Sequence, residues 1–284
     1  MSSSNSAVPA PRPIRSPRLA RTFARLATEG RKAFIPYVTA GDPDLATSAA
    51  VLLALAEGGA DIIELGVPFS DPMADGEVIQ AAMLRALGGG TTFAKVLDLV
   101  REFRAKDTRD TPIVLFGYLN PIYRVGLAQA AKAAREAGAD AFLVVDLPPE
   151  EAAQLTDPLT EEGLDFVALF TPTSADERVR AIASQASGFA YYVSMAGITG
   201  DALTGLDEVA QRTQRVREVT GLPVAVGFGI RSGDDARRVA TFADAVVIGS
   251  HLIQTLATVA PAEQPAVARA FAAEIRAALD GQPS

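Results

Sequence analysis

The sequence predicts an α/β fold, a single (β/α)8 barrel, on three observations. Eight short apolar runs recur along the chain, amphipathic stretches separate them, and no change of composition divides the chain after residue 30. With 284 residues, 49% of them hydrophobic, the chain has enough apolar material for one core of that size.

The runs in order are FIPYV (34–38), DIIEL (61–65), PIVLFG (112–117), AFLVV (141–145), DFVALF (165–170), AYYVS (190–194), PVAVG (223–227) and AVVIG (245–249). Each is nearly continuous in apolar residues, as in parallel strands whose outer face is covered by helices. Stretches such as FAKVLDLVREFRAK and LAQAAKAAREAGA repeat apolar residues every three or four positions, the period of an amphipathic helix. An echo runs through the helix-to-strand passages: E-G-G-A-D before the second run, E-A-G-A-D before the fourth, F-A-D before the eighth. Doubly wound sheets use such turns too, and the count of eight is what favours the closed barrel. The N-terminal MSSSNSAVPAPRPIRSPRLAR is rich in Ser, Pro and Arg, which predicts a disordered tail; a transit peptide shares that composition. The domain division expected is a flexible tail and the start of the first outer helix over 1–30, then the barrel over 31–284.

Composition excludes several chemistries. A formal charge of −8 argues against a nucleic-acid or anionic-membrane surface as the main partner. There is no cysteine and one histidine, His251, so thiolate and multi-histidine metal sites are unavailable. The sequence has no run of about 20 apolar residues with which to span a membrane, and a soluble cytoplasmic protein is expected.

In a barrel, chemistry sits where strands end and βα loops begin. Glu64 falls there, between Ile63 and Leu65, as either a general acid/base or a carboxylate satisfied by a core cation. The loop behind it, GVPFSDPMADG, holds Asp71 and Asp75 between Pro68, Pro72, Gly66 and Gly76. Taken singly, each Asp reads equally well as a turn or cap residue. At the other end of the chain, Gly227-Phe228-Gly229-Ile230 and Gly249-Ser250 follow the last two runs, where barrels commonly bind phosphate. SMAGITGDALTG (194–205), with Thr199 and Thr204, reads as a mobile loop over the mouth, and Tyr191 as a core or ligand-facing residue. His251 has no assigned role.

Taken together, FIPYVTAGDP, DIIELGVPFSDPMADG, GYLNP, LVVDLPPEE, AYYVSMAGITG, VAVGFGI and VIGS closely resemble the tryptophan synthase α subunit family, collinearly from about Phe34 to Leu252. The tail and last helix lie outside the resemblance. It implies a phosphate-binding TIM barrel, a lyase that splits indole-3-glycerol phosphate into indole and glyceraldehyde 3-phosphate without a cofactor, in tryptophan biosynthesis. It further implies Glu64 and Asp75 as catalytic carboxylates, Tyr191 at the substrate, and phosphate contacts at Gly200, Gly229, Gly249 and Ser250. Phe228, Tyr118 and Leu115 are expected to wall the indole ring. Met195 stands where the family often has a basic residue. The implied partner is a β subunit carrying pyridoxal phosphate, in an α2β2 complex. The loop with Pro68 and Asp71, and the loop around Thr199, would face that partner. A free-standing lyase and a catalytically silent phospholigand-binding subunit are the alternatives.

Overall fold

The computed structural model describes residues 14–172, 176–193, 205–227 and 229–281. Among these, nine strands form one sheet: β1 (Ala33–Thr39), β2 (Ile63–Gly66), β3 (Ile113–Gly117), β4 (Ala141–Val144), β5 (Asp165–Phe166), β6 (Ala168–Phe170), β7 (Ala190–Val193), β8 (Val224–Gly227) and β9 (Ala245–Ile248). The order is β5-β4-β3-β2-β1-β9-β8-β7-β6, with every pairing parallel. The two ends of that order are halves of one stave, joined at Val167, so the sheet closes on itself. The eight expected runs are therefore eight staves, the fifth broken in two. Its lower half pairs with β4 and its upper half with β7, the offset a tilted, sheared barrel imposes.

Each stave alternates between two cores. Ala33, Ile35 and Tyr37 of β1 pack inside the barrel with Ile62, Val114, Phe116, Leu143, Ala225 and Val247. Phe34, Val38, Ile63, Leu65, Leu115 and Phe142 pack outward against the helices. Both faces are dry, so the apolar runs are continuous in sequence although their side chains alternate in direction. Glu64, between outward-facing Ile63 and Leu65, faces the interior.

The helix Pro17–Glu29 closes the floor. Ser16 caps it by accepting the Leu19 N–H, Pro17 opens it, and Gly30 ends it in the left-handed region. Leu19, Phe23 and Leu26 share one face and join the inner core, with the Phe23 ring 5.8 Å from that of Phe189. The helix expected near residue 30 on the outside of the barrel thus lies across its N-terminal end. The tail residues 1–13 lie outside the described residues.

The Asp echo has a structural cause. Asp61 accepts the Phe34 N–H (3.0 Å) and Arg276 (2.7 Å); Asp140 accepts the Ile113 N–H (2.9 Å) and Arg104 (2.8 Å); Asp244 accepts the Val224 N–H (3.0 Å) and Arg217 (2.9 Å). Each carboxylate satisfies an N–H at the start of the neighbouring strand and ties it to a helix arginine. None of the three lies at the mouth.

Candidate active site

Toward the C-terminal ends of the staves the inner layer turns polar and aromatic. Tyr37, Glu64, Phe116 and Tyr191 line a cavity of about 340 Å³ with Gly229, Gly249 and Ser250. A larger hollow of about 720 Å³ lies under the floor, but its Arg18, Arg21 and Arg25 are paired with Asp110 and Asp61. At the mouth, by contrast, a buried carboxyl oxygen stands without a partner among the described residues.

Glu64 is 1% exposed, and its Oε1 has no hydrogen-bond partner. Burial alone pushes its carboxyl up to about 8, because no described cation offsets the loss of water. An acid in this state is mostly protonated at neutral pH and is poised to give a proton to a ligand in the cavity.

Asp75 reaches the same end of the barrel through its loop. The Tyr118 hydroxyl donates to Asp75 Oδ2 at 2.7 Å and accepts the Ala74 N–H at 2.9 Å. The Phe69 and Tyr118 rings pack at 5.2 Å, which fastens the loop to the end of β3. Burial raises the Asp75 carboxyl and the Tyr118 bond opposes that rise. Asp75 does not cap the following helix Glu77–Gly88, whose N-cap is Gly76 with no side-chain bond. Asp71 is exposed and accepts the Ser70 hydroxyl at 2.5 Å, and Pro68 is buried. The two aspartates that looked alike in sequence are therefore separated by structure.

The opposite wall suits an anion. The helix Ser250–Ala257 begins at Gly249, with no side-chain cap and no acidic residue in its first turn. Its neighbour Gly233–Ala240 is capped by Ser232 and carries Asp234 and Asp235 there. Only the first leaves its N-terminal N–H groups and positive dipole end open to the cavity. Gly229, Gly249 and Ser250 line that side as the sequence suggested; Gly200 and Thr199, with Met195 and Phe228, lie outside the described residues.

The sequence reading erred or fell short in three places. Leu115 faces the helices, and Phe116, one residue on, is the ring that walls the cavity, because a shift of one position reverses the face of a strand. Tyr37 and Phe116 were missed, although period-two counting from Ala33 and Val114 would have placed both inside; their rings meet edge to face at 5.2 Å. Arg231, His251 and Gln254 also line the cavity, and nothing in the local sequence marks them. Among the described residues no group of three or more His, Cys, Asp or Glu could hold a metal, and no helix is long and apolar enough to cross a membrane.

Fold and site together define a (β/α)8-barrel enzyme with a neutral buried acid at its mouth. The sequence profile of the family described as "Tryptophan synthase alpha chain" matches residues 23–279, wider at both ends than the 34–252 resemblance and taking in the last helix. The tryptophan synthase alpha chains of Burkholderia pseudomallei and Cupriavidus taiwanensis are each 52% identical over 264 residues, 93% of this chain and 97% and 99% of theirs. The solved subunit alpha of Legionella pneumophila superposes with a TM-score of 0.86 at 40% identity, covering 93% of this chain and 98% of that one. A tryptophan synthase structure from Mycobacterium tuberculosis does so at 0.82 and 34%, covering 92% of this chain and 99% of its own. The chain belongs to the tryptophan synthase alpha chain family.

Proposed function

We propose that this chain cleaves indole-3-glycerol phosphate to indole and glyceraldehyde 3-phosphate, with Glu64 as general acid and base and Asp75 holding the indole N–H. The observation that carries the reading is Glu64 itself, an unpaired acid raised to about 8, facing a cavity whose far wall is an open helix N-terminus. The reaction asks for this pair of features. Indole is a poor leaving carbanion, so ring carbon C3 must gain a proton before its bond to the glycerol carbon breaks. Glu64 gives that proton, and the positive charge that develops on the ring nitrogen is stabilised by the Asp75 carboxylate. Glu64, now ionised, takes the proton of the hydroxyl on the glycerol carbon. The carbonyl forms there, and the electron pair of the broken bond restores the aromatic ring. One proton is given and one taken, so the acid is regenerated.

The helix Ser250–Ala257, with Gly229 and Gly249, is the proposed seat of the phosphate, joined by Gly200. Phosphate binding would fix the reacting carbon relative to Glu64. Tyr191 and Phe116 line the ring side, and Phe228, beside Gly229 in sequence, is proposed to join them. Family membership implies a β-subunit partner, and we place the pyridoxal phosphate on that partner in an α2β2 complex. The surface that fits it is the loop of Pro68 and Asp71, with Thr199. There Met73 is 89% exposed, and Tyr123, on the segment that Tyr118 joins to the loop, is 62% exposed. Apolar side chains held in water by rigid loops suit burial by another chain.

The test is indole release from indole-3-glycerol phosphate by the purified chain, alone and with a tryptophan synthase β subunit. Activity in the chain, raised by the partner, is expected; no indole in either condition overturns the reading. Tyr118→Phe should lower kcat/KM about tenfold, since it removes one hydrogen bond to a charged group and unfastens the Ala74 N–H. Steady-state kinetics reads this, with little change expected in thermal stability.

A further inference from the structure

Tyr37 lines the mouth on the same cavity as Glu64. It stands on β1 directly beside Glu64 in the parallel register, while the residue on the other side of Glu64, on β3, is Val114. Its ring is 3% exposed, and its hydroxyl has one partner among the described residues, Thr39 Oγ1 at 3.4 Å, the limit of a hydrogen bond. The position of that hydroxyl is set by Gly66, where a Cβ would overlap it. Gly66 is two residues beyond Glu64 on β2, and positions two apart share a face. The Tyr37 hydroxyl therefore occupies the place a residue-66 side chain would take, within reach of a rotated Glu64 carboxyl.

The geometry points to Tyr37 as a positioning residue for Glu64: its phenol is the donor that receives the Glu64 carboxylate after the proton has left. This rests on the proposed role of Glu64. As a neutral acid, Glu64 tolerates an unpartnered Oε1; as a carboxylate in the same dry site it needs a donor. The charged and titratable groups around it are Tyr37 from β1, Tyr191 from β7 and Asp75 from the loop after β2. Arg231 and His251 stand on the far wall of the cavity. Asp75 repels a second carboxylate and its donor Tyr118 is already engaged. Tyr191, whose hydroxyl lies over Gly227 on β8, also feels the Glu64 charge, so Tyr191→Phe is the control: a larger rise of the Glu64 midpoint there than in Tyr37→Phe overturns the assignment to Tyr37. Burial raises the Tyr37 phenol, so it stays a donor throughout the working range.

The experiment is a carboxyl-carbon NMR titration of the full-length chain, the Glu64 signal being assigned by its absence from Glu64→Gln. Tyr37→Phe keeps the ring and its contact with Phe116 but removes the donor. The Glu64 midpoint is expected to rise by about one pH unit, the equivalent of one hydrogen bond to a charged group. In the indole assay the same variant should lose about tenfold in kcat with KM within about twofold. Gly66→Ala, whose Cβ would collide with the Tyr37 hydroxyl and ring edge and so displace the whole ring from Glu64, should give the same rise and serves if Tyr37→Phe does not fold. A Glu64 midpoint that stays at the parental value overturns the proposal. Absence of indole release by the parent would overturn the proposed function instead, and the titration would still decide the role of Tyr37.

Discussion

Glu64→Gln is expected to be inactive and, at neutral pH, more stable than the parent. The amide keeps the size of the side chain but neither gives nor takes a proton, so indole release should fall at least about 10²-fold, the usual scale of a lost general acid–base group. Binding of a phosphate ligand at the helix Ser250–Ala257 should persist, since that wall is separate. The stability gain follows from the direction of the shift. The folded chain holds the Glu64 proton up to about 8, whereas an ordinary Glu releases it near 4.5. Between those values the folded state binds more protons than the unfolded state, so the parent loses stability as pH rises, by about 1.4 kcal/mol for each pH unit crossed. Gln has no such loss. Denaturant unfolding of the two proteins should agree below pH 4.5 and diverge as pH rises to 8, the variant becoming the more stable. Equal stabilities at pH 8, or retained turnover, would show that Glu64 is not a strained neutral acid.

Asp140→Ala should do the opposite, a large loss of stability with the reaction spared. Asp140 is fully buried at the floor, where it accepts from Ser16 Oγ (2.6 Å), Arg104 Nη2 (2.8 Å), the Ile113 N–H (2.9 Å) and Arg18 Nη1 (3.3 Å). Truncation removes the nearer of two carboxylates from Arg104, leaving it Asp107 at 3.5 Å in a site that already disfavours its charge, and strands a buried backbone N–H. Breaking such a group on one side costs about 3–5 kcal/mol, which corresponds to a fall in Tm of roughly 10 °C for a chain of this size. Because the mouth lies at the other end of the staves, kcat of the folded variant should stay within about twofold of the parent. A stability loss below about 1 kcal/mol would mean that the floor network contributes little.

The two sites differ in how legible they were. Glu64 stood out because a carboxylate inside an apolar strand is costly, and one strand period decides its direction. Asp140 and its counterparts Asp61 and Asp244 showed only as a repeated G-A-D or F-A-D. Their partners, Arg104, Arg276 and Arg217, are distant in sequence or on helices whose facing residues no local pattern names. Asp71 and Asp75 could not be told apart locally, since both sit in one loop rich in proline and glycine. Tyr118, 43 residues beyond Asp75, is what separates them.

Local periodicity and residue type were enough to set the eight staves, the apolar runs, the place of Glu64 at a strand end and the glycine-rich ends of β8 and β9. Tertiary structure decided which of two neighbouring residues, Leu115 or Phe116, meets the cavity, and that the helix Pro17–Glu29 plugs the floor. It also decided that the Tyr37 hydroxyl lies over Gly66, beside Glu64. Those outcomes depend on the register between staves, and register is fixed only when the barrel closes and every inward side chain must share one interior.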